Sequence, residues 1–459
     1  MGGVASPASC APASVTGEAG FGWLAIARIG MVQASIGALV MLATTVLNRL
    51  MVVEYALAAA IPAGLVAWHY AVQLCRPLWG HGSDKGRARV PWIIGGVVVL
   101  SLASYMATHA TLLMVPSPLI GFSMAIAAYT LIGVGVGAGG TSALALLASG
   151  VAPRRRAAAA ALTWIMMVAG IVASAITVGK LLIPYSPERL LLVAGGLGMV
   201  MISLTVVATF RLERQAGSFA ETAKDGPAPD FKAAIREIWA EKAARRFTIF
   251  IFVSMIAFSM QDLILEPFAG LIFAMSPGES TQLGGTHQAG ILLGMIITGI
   301  GGSAFAGDGK RDLRSWVVGG CLGSAAGLAG LAMAAVHGPP WPLAINAFVL
   351  GFGNGVFAVA AIGTMMGLAG AGENTREGVR MGVWGASQAI AFGLGGLIGA
   401  VGVDFARRWL GEDGAAFQMI FAVESAAFVL AAILAFGIAA VRAPSKSRPT
   451  QPGEREMFA

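Results

Sequence analysis

The stretch Leu131-Ile132-Gly133-Val134-Gly135-Val136-Gly137 returns, altered but recognisable, as Val349-Leu350-Gly351-Phe352-Gly353-Asn354-Gly355. Each copy lies inside an uncharged run long enough to cross a bilayer, whose hydrocarbon core of roughly 30 Å takes about 20 apolar residues. Such a glycine load would weaken a helix in water, whereas in lipid small residues let helix backbones approach closely. The repeat therefore predicts a membrane protein of two related halves, with one copy at the same place in each.

Outward from these stretches, apolar runs follow one another along nearly the whole chain. Candidate spans fall at about 29–50, 56–76, 91–114, 119–149, 157–182 and 190–210, and again at about 247–273, 288–306, 315–336, 342–369, 382–402 and 416–440. Charged residues make up 12% of the chain, about half the share of a soluble domain, which fits a protein whose solvent is the lipid bilayer. Of the 30 Lys and Arg, all but Arg28, Arg49, Lys180, Arg189, Arg407 and Arg408 fall in alternate connections or the C-terminal tail. Cytoplasmic loops collect such residues, so both termini are expected in the cytoplasm. The net charge of +7 thus reports topology and does not predict a nucleic-acid partner.

The expected organisation is a flexible cytoplasmic tail over 1–27, a six-helix half over 28–210, a cytoplasmic linker over 211–246, a second six-helix half over 247–440 and a tail over 441–459. Residues 1–20 hold no Lys or Arg and so lack the basic start of a secretory signal. In the linker, Gly226-Pro227-Ala228-Pro229 precedes Asp230, a good N-cap, and then Phe231, Ile235, Ile238 and Trp239 at helical spacing. An interfacial amphipathic helix fits this pattern; a plain solvated linker is the alternative. Cys10, Cys75 and Cys321 are odd in number and far apart, so no disulfide or cysteine metal site is expected.

Charges at membrane depth are costly and mark function by default. Arg49 and Glu54 lie near the end of the first span; Asp262 and Glu266 lie in the seventh, its counterpart in the other half. Asp262 and Glu266 are four apart and therefore share one face of a continuous helix, where Arg49 can neutralise them across the halves. A structural clamp and a direct substrate contact both fit. Glu424 is the remaining deep carboxylate, too few for a proton relay, so proton-driven transport is not predicted.

His69, with Gln73 one turn later, falls inside the second span; an imidazole there serves either as an axial ligand to a metal in a flat macrocycle or as a hydrogen-bonded packing group. His81 lies in a loop, and His109, His287 and His337 fall near outer ends. Gly133, Gly137, Gly351, Gly355, Gly395 and Gly399 form small-residue faces for close helix contact or for a planar ligand. No Walker loop, nucleophile triad, zinc spacing or dinucleotide fingerprint is present, and no enzymatic activity is expected.

Between the second and third spans, Gly80-His81-Gly82-Ser83-Asp84-Lys85-Gly86-Arg87-Ala88-Arg89 resembles the loop signature of the major facilitator superfamily, one residue short after Lys85. Gly80 permits the sharp turn, and Asp84 with Lys85, Arg87 and Arg89 can pair with a neighbouring helix end. Gly307-Asp308-Gly309-Lys310-Arg311 looks like its eroded twin. The resemblance implies an all-α integral membrane fold of about twelve helices in two pseudo-symmetric halves.

Five further stretches resemble one branch of that superfamily, the PucC or bacteriochlorophyll delivery family of phototrophic bacteria. They are Thr45-Val46-Leu47-Asn48-Arg49-Leu50-Met51-Val52-Val53-Glu54, Gly80-His81-Gly82-Ser83-Asp84, Phe258-Ser259-Met260-Gln261-Asp262-Leu263-Ile264-Leu265-Glu266-Pro267, Pro153-Arg154-Arg155-Arg156-Ala157-Ala158-Ala159-Ala160 and Ser276-Pro277-Gly278-Glu279-Ser280-Thr281. The resemblance implies a factor in the bacterial inner membrane or intracytoplasmic photosynthetic membrane that delivers or holds bacteriochlorophyll, or a precursor, during light-harvesting complex assembly. Antenna polypeptides and pigment-synthesis enzymes would be its partners. His69 is then the leading candidate for the pigment magnesium, with Gln73, Gln261 and Asn354 as substitutes through side-chain oxygen. A small-molecule transporter and a scaffold for antenna subunits are the alternatives.

Overall fold

A long apolar helix needs a defined start, and in this chain several starts are written by proline and serine. In the computed structural model, which describes residues 21–75, 89–151, 155–212, 239, 242–304, 313–370 and 377–436, α4 (Pro118–Gly150) and α6 (Pro187–Thr209) open on proline, whose missing N–H is harmless in a first turn. Ser186 caps α6, its Oγ accepting from Arg189 N at 3.1 Å. The other helices of the first half are α1 (Trp23–Glu54), α2 (Ala60–Gln73), α3 (Val90–Leu113) and α5 (Arg156–Leu181). The second half holds α7 (Lys242–Met260), α8 (Leu265–Phe273), α9 (Pro277–Ala304), α10 (Arg314–His337), α11 (Leu343–Gly370), α12 (Glu377–Leu410) and α13 (Asp413–Phe436).

Among the described residues every regular element is helical, and 11 helices are long and apolar enough to cross a membrane. The described part of α2 has 14 residues and ends in a turn at Cys75. The expected linker helix and the loop-signature residues Gly80, Asp84, Lys85 and Arg87 lie outside the described residues.

Helix pairing repeats between the halves. The contacts α3–α4, α2–α4, α1–α5, α3–α6 and α1–α6 have counterparts in α10–α11, α9–α11, α7–α12, α10–α13 and α7–α13. The halves meet through α2 on α12 and α5 on α9, a pairing that also maps onto itself when the halves are exchanged. This is the two-half, multi-pass architecture that the glycine repeat predicts. The repeat itself explains part of it: a Cβ at Gly133 would lie 2.7 Å from the His69 carbonyl of α2, and one at the matching Gly351 would strike the His287 carbonyl of α9. Gly290 and Gly294 return the contact from α9 against the backbone of α11. These glycines serve close helix approach.

Two expected spans are corrected. The eighth starts at Pro277 rather than 288, because Ser276 and Glu279 form a reciprocal capping box: Ser276 N and Oγ each donate to Glu279 Oε2 at 2.8 Å, and Glu279 N donates to Ser276 Oγ at 3.3 Å. Its first turns look too polar to span, but Thr281 and Thr286 return their hydroxyls to Pro277 O at 2.8 Å and Gln282 O at 2.9 Å. The seventh is not one helix over 247–273. After α7 the chain tightens into a 3₁₀ turn at Gln261–Leu263, passes through Ile264 at φ −108°, and restarts as α8.

Candidate functional site

The end of the bundle opposite the basic connections, here called the distal end, is where α1 meets α7 and α8. Pro267 has no N–H, so the carbonyl of Leu263 four residues earlier has no helical donor. Asn48, 1% exposed, supplies one from the other half: its Nδ2 donates to Leu263 O at 2.7 Å. The α1 backbone is re-aimed here by two π-helical turns, Leu42–Val46 and Leu50–Glu54, on either side of the Leu47–Arg49 turn. Arg49, 2% exposed, donates from Nη1 to Glu54 Oε1 at 2.5 Å and from Nη2 to Met275 O at 2.5 Å. Gly270 makes room for it, since a Cβ there would lie 3.2 Å from Arg49 Nη2.

The expected clamp is thus corrected in its partners. Arg49 pairs with Glu54 of its own helix and with a backbone carbonyl of the other half, rather than with Asp262. The break at Ile264 removes the shared face that four-residue spacing gives in a continuous helix. Glu266 stays within electrostatic range of Arg49, buried beside Gly284, where a Cβ would lie 2.6 Å from its Oε1. Asp262 lies instead within electrostatic range of Glu424 of α13. Neither oxygen of Glu266 or Glu424, nor the Gln261 amide, has a hydrogen-bond partner among the described residues.

The four residues expected to face a pigment stand on three different helical elements. His69 and Gln73 lie buried on α2, Gln261 at the end of α7 and Asn354 on α11. His69 is 1% exposed, with Nδ1 2.5 Å from Val66 O one turn back and its ring 4.2 Å from that of Tyr70. Asn354 accepts from Ser324 Oγ at 2.7 Å and lies 3.4 Å from His287 Nε2 through its own Nδ2. His287 belongs to the bundle interior rather than to a helix end, because α9 begins a full three turns before the hydropathy rises. The paired glycines Gly133 and Gly351 mark His69 and His287 as counterparts, a relation the sequence signals only once the repeat is aligned. Of the loop signature, Arg89 is described: its Nη1 donates to Ala145 O at 2.5 Å, tying the start of α3 to α4.

An open slot lies elsewhere. Between α3 and α4, Pro91, Trp92, Gly95, Gly96, Val99, Val134, Gly135 and Ala138 line a groove of about 320 Å³. Its floor is glycine because the helices touch there, a Cβ at Gly135 coming 2.8 Å from Gly96 O and Leu100 N. At Gly95 an added Cβ would meet nothing within 4 Å, so the groove is open at that point. Its lining carries no charged side chain.

A two-half, multi-pass helical membrane protein with an apolar slot between two spans and a hydrogen-bonded distal seam is the class these features define. Residues 46–443 match the family model described as PUCC protein, and the chain belongs to that family. It is 47% identical over 434 residues to the bacteriochlorophyll synthase 44.5 kDa chain of Rhodobacter capsulatus, covering 94% of this chain and 99% of that protein. It is also 28% identical to a Protein PucC of Rhodobacter capsulatus, covering 90% and 91% of the two chains. A Protein PucC of Cereibacter sphaeroides is 29% identical, with 80% of each covered.

Proposed function

We propose that this protein is a non-catalytic membrane factor that holds or delivers bacteriochlorophyll, or a precursor, while light-harvesting antenna polypeptides are assembled. The observation that carries this reading is near-full-length similarity to a relative named for bacteriochlorophyll synthesis. The α3–α4 slot supports it physically. It is apolar and free of charge and lies between two membrane-spanning helices, so its chemistry suits a long hydrocarbon tail. His69 suits the magnesium less well, since its ring is enclosed at 1% exposure. The tail in the slot, with the ring at its mouth, is the arrangement we favour. Pigment-synthesis enzymes upstream and antenna polypeptides downstream are the partners this role calls for.

The reading places the protein in the bacterial inner membrane or its intracytoplasmic extension, with both termini and the basic loops cytoplasmic. Single-cysteine labels at positions 85, 155 and 224 should then react from the cytoplasmic side, and labels at 180 and 407 from the opposite one. For pigment, the test is purification in mild detergent from pigment-producing cells, followed by absorption spectra of the native protein, Gly95→Leu and His69→Leu. Gly95→Leu fills the slot where an added Cβ meets nothing, so it should lose pigment while retaining the native melting midpoint. Pigment lost with His69→Leu alone would move the site to α2. No pigment in any sample would overturn the holding role in favour of a scaffold, and saturable uptake of a polar metabolite would favour a transporter.

A further inference from the structure

The two helices that occupy equivalent places in the halves, α2 and α9, begin in different ways. α9 closes its first turn with the Ser276–Glu279 box of its own half. α2 begins at Ala58-Ala59-Ala60, and Ala59 at its N-cap makes no side-chain cap. Free N–H groups at a helix start need acceptors. Two of them find theirs in the opposite half: Ala59 N donates to Asp404 Oδ1 at 3.0 Å and Ala60 N to Asp404 Oδ2 at 2.7 Å. Asp404 belongs to α12, so its negative charge also sits against the positive end of the α2 dipole.

We propose that Asp404 is the latch of the distal face: by capping α2 from the opposite half, it makes separation of the halves at that face conditional on uncapping a helix. A cap supplied within one half would stabilise α2 without joining anything. This one does both, and it lies at the same end of the bundle as the Asn48 and Arg49 bonds to Leu263 and Met275. Gly179 and Gly278 close the other side of the seam, a Cβ on Gly179 coming 2.7 Å from Gly278 O. That side is held by packing, whereas the α2–α12 side adds to its packing two hydrogen bonds from a single carboxylate. The Arg407–Asp413 pair, 2.6 Å apart, lies within the second half and does not join the halves.

The test separates a latch from an ordinary cap. Nitroxide labels go on the exposed distal positions Leu181 of α5 and Trp409 of α12, with Cys10 and Cys75 replaced by serine, and the distance distribution is read by pulsed electron resonance in the full-length protein. Asp404→Ala should add a longer-distance population absent from the native protein, while Asp413→Ala should not. Ala58→Asp is then placed in the Asp404→Ala background, giving α2 a cap from its own half. The double variant should recover the native melting midpoint yet keep the longer-distance population. A native distance distribution in Asp404→Ala, or full recovery of it in the double variant, would overturn the latch and leave Asp404 as a cap alone.

Discussion

The bond from Asn48 to Leu263 gives the sharpest prediction because its cause is a single residue, Pro267. Asn48→Ala removes the donor from a carbonyl that no helix N–H can reach, with Asn48 1% and Leu263 4% exposed. Leaving that oxygen unsatisfied in a dry interior should cost about 1–3 kcal/mol. Pro267→Ala restores an N–H four residues after Leu263, and by itself should change stability by no more than about 1 kcal/mol, since the ring's effect on the unfolded chain opposes the gained donor. In the Pro267→Ala background the cost of Asn48→Ala should therefore shrink, leaving a coupling of roughly 1–2 kcal/mol. The assay is reversible unfolding in mixed micelles with increasing denaturing detergent, followed by helical circular dichroism for the four members of the cycle. Equal costs of Asn48→Ala in both backgrounds would refute the claim that Pro267 creates the acceptor that Asn48 serves.

Three further outcomes follow from the same geometry. Glu54→Gln should cost about 1 kcal/mol, well short of the roughly 3–5 kcal/mol for breaking a buried pair, because Glu54 is 38% exposed and Arg49 keeps Met275 O; the same unfolding assay reads it. Ser276→Ala opens the capping box and should lose about 1 kcal/mol, measurable as earlier hydrogen exchange at the start of α9. Tyr55 and Tyr185 lie in distal connections, and burial raises both phenols above the ordinary tyrosine value, with Glu54 adding to the rise in each. The neutral forms are thus the ones the fold favours, so their contribution is full below the ordinary value and is lost as pH climbs past it. Ultraviolet titration of the native protein against Tyr185→Phe should show one late-ionising phenol fewer in the variant.

How much was legible in the sequence differs from feature to feature. The membrane class, the two halves and most of the span positions could be read because each rests on local composition: apolar length, the bias of Lys and Arg between loops, and a glycine pattern repeated at matching places. Arg49, Glu54, Asp262 and Glu266 were also visible, since a charge in an apolar run announces itself. Their partners were not, because helical spacing assumes an unbroken helix and the 3₁₀ turn at Gln261–Leu263 breaks it. The polar start of α9 hid that helix's true length, as hydropathy counts hydroxyls against a span even when they bond back to their own backbone.

Sequence by itself therefore determined the solvent of this protein, its division into two halves and the glycines through which its helices touch. Only the tertiary structure decided that Asn48 answers Pro267, that an apolar slot opens between α3 and α4, and that Asp404 caps a helix of the other half. The physical reason is range. Hydropathy and spacing act within one helix, whereas a missing N–H, an alanine helix start or an open groove acquires meaning only from the group that packing brings against it, 215 residues away for Asn48 and Leu263 and 345 for Ala59 and Asp404.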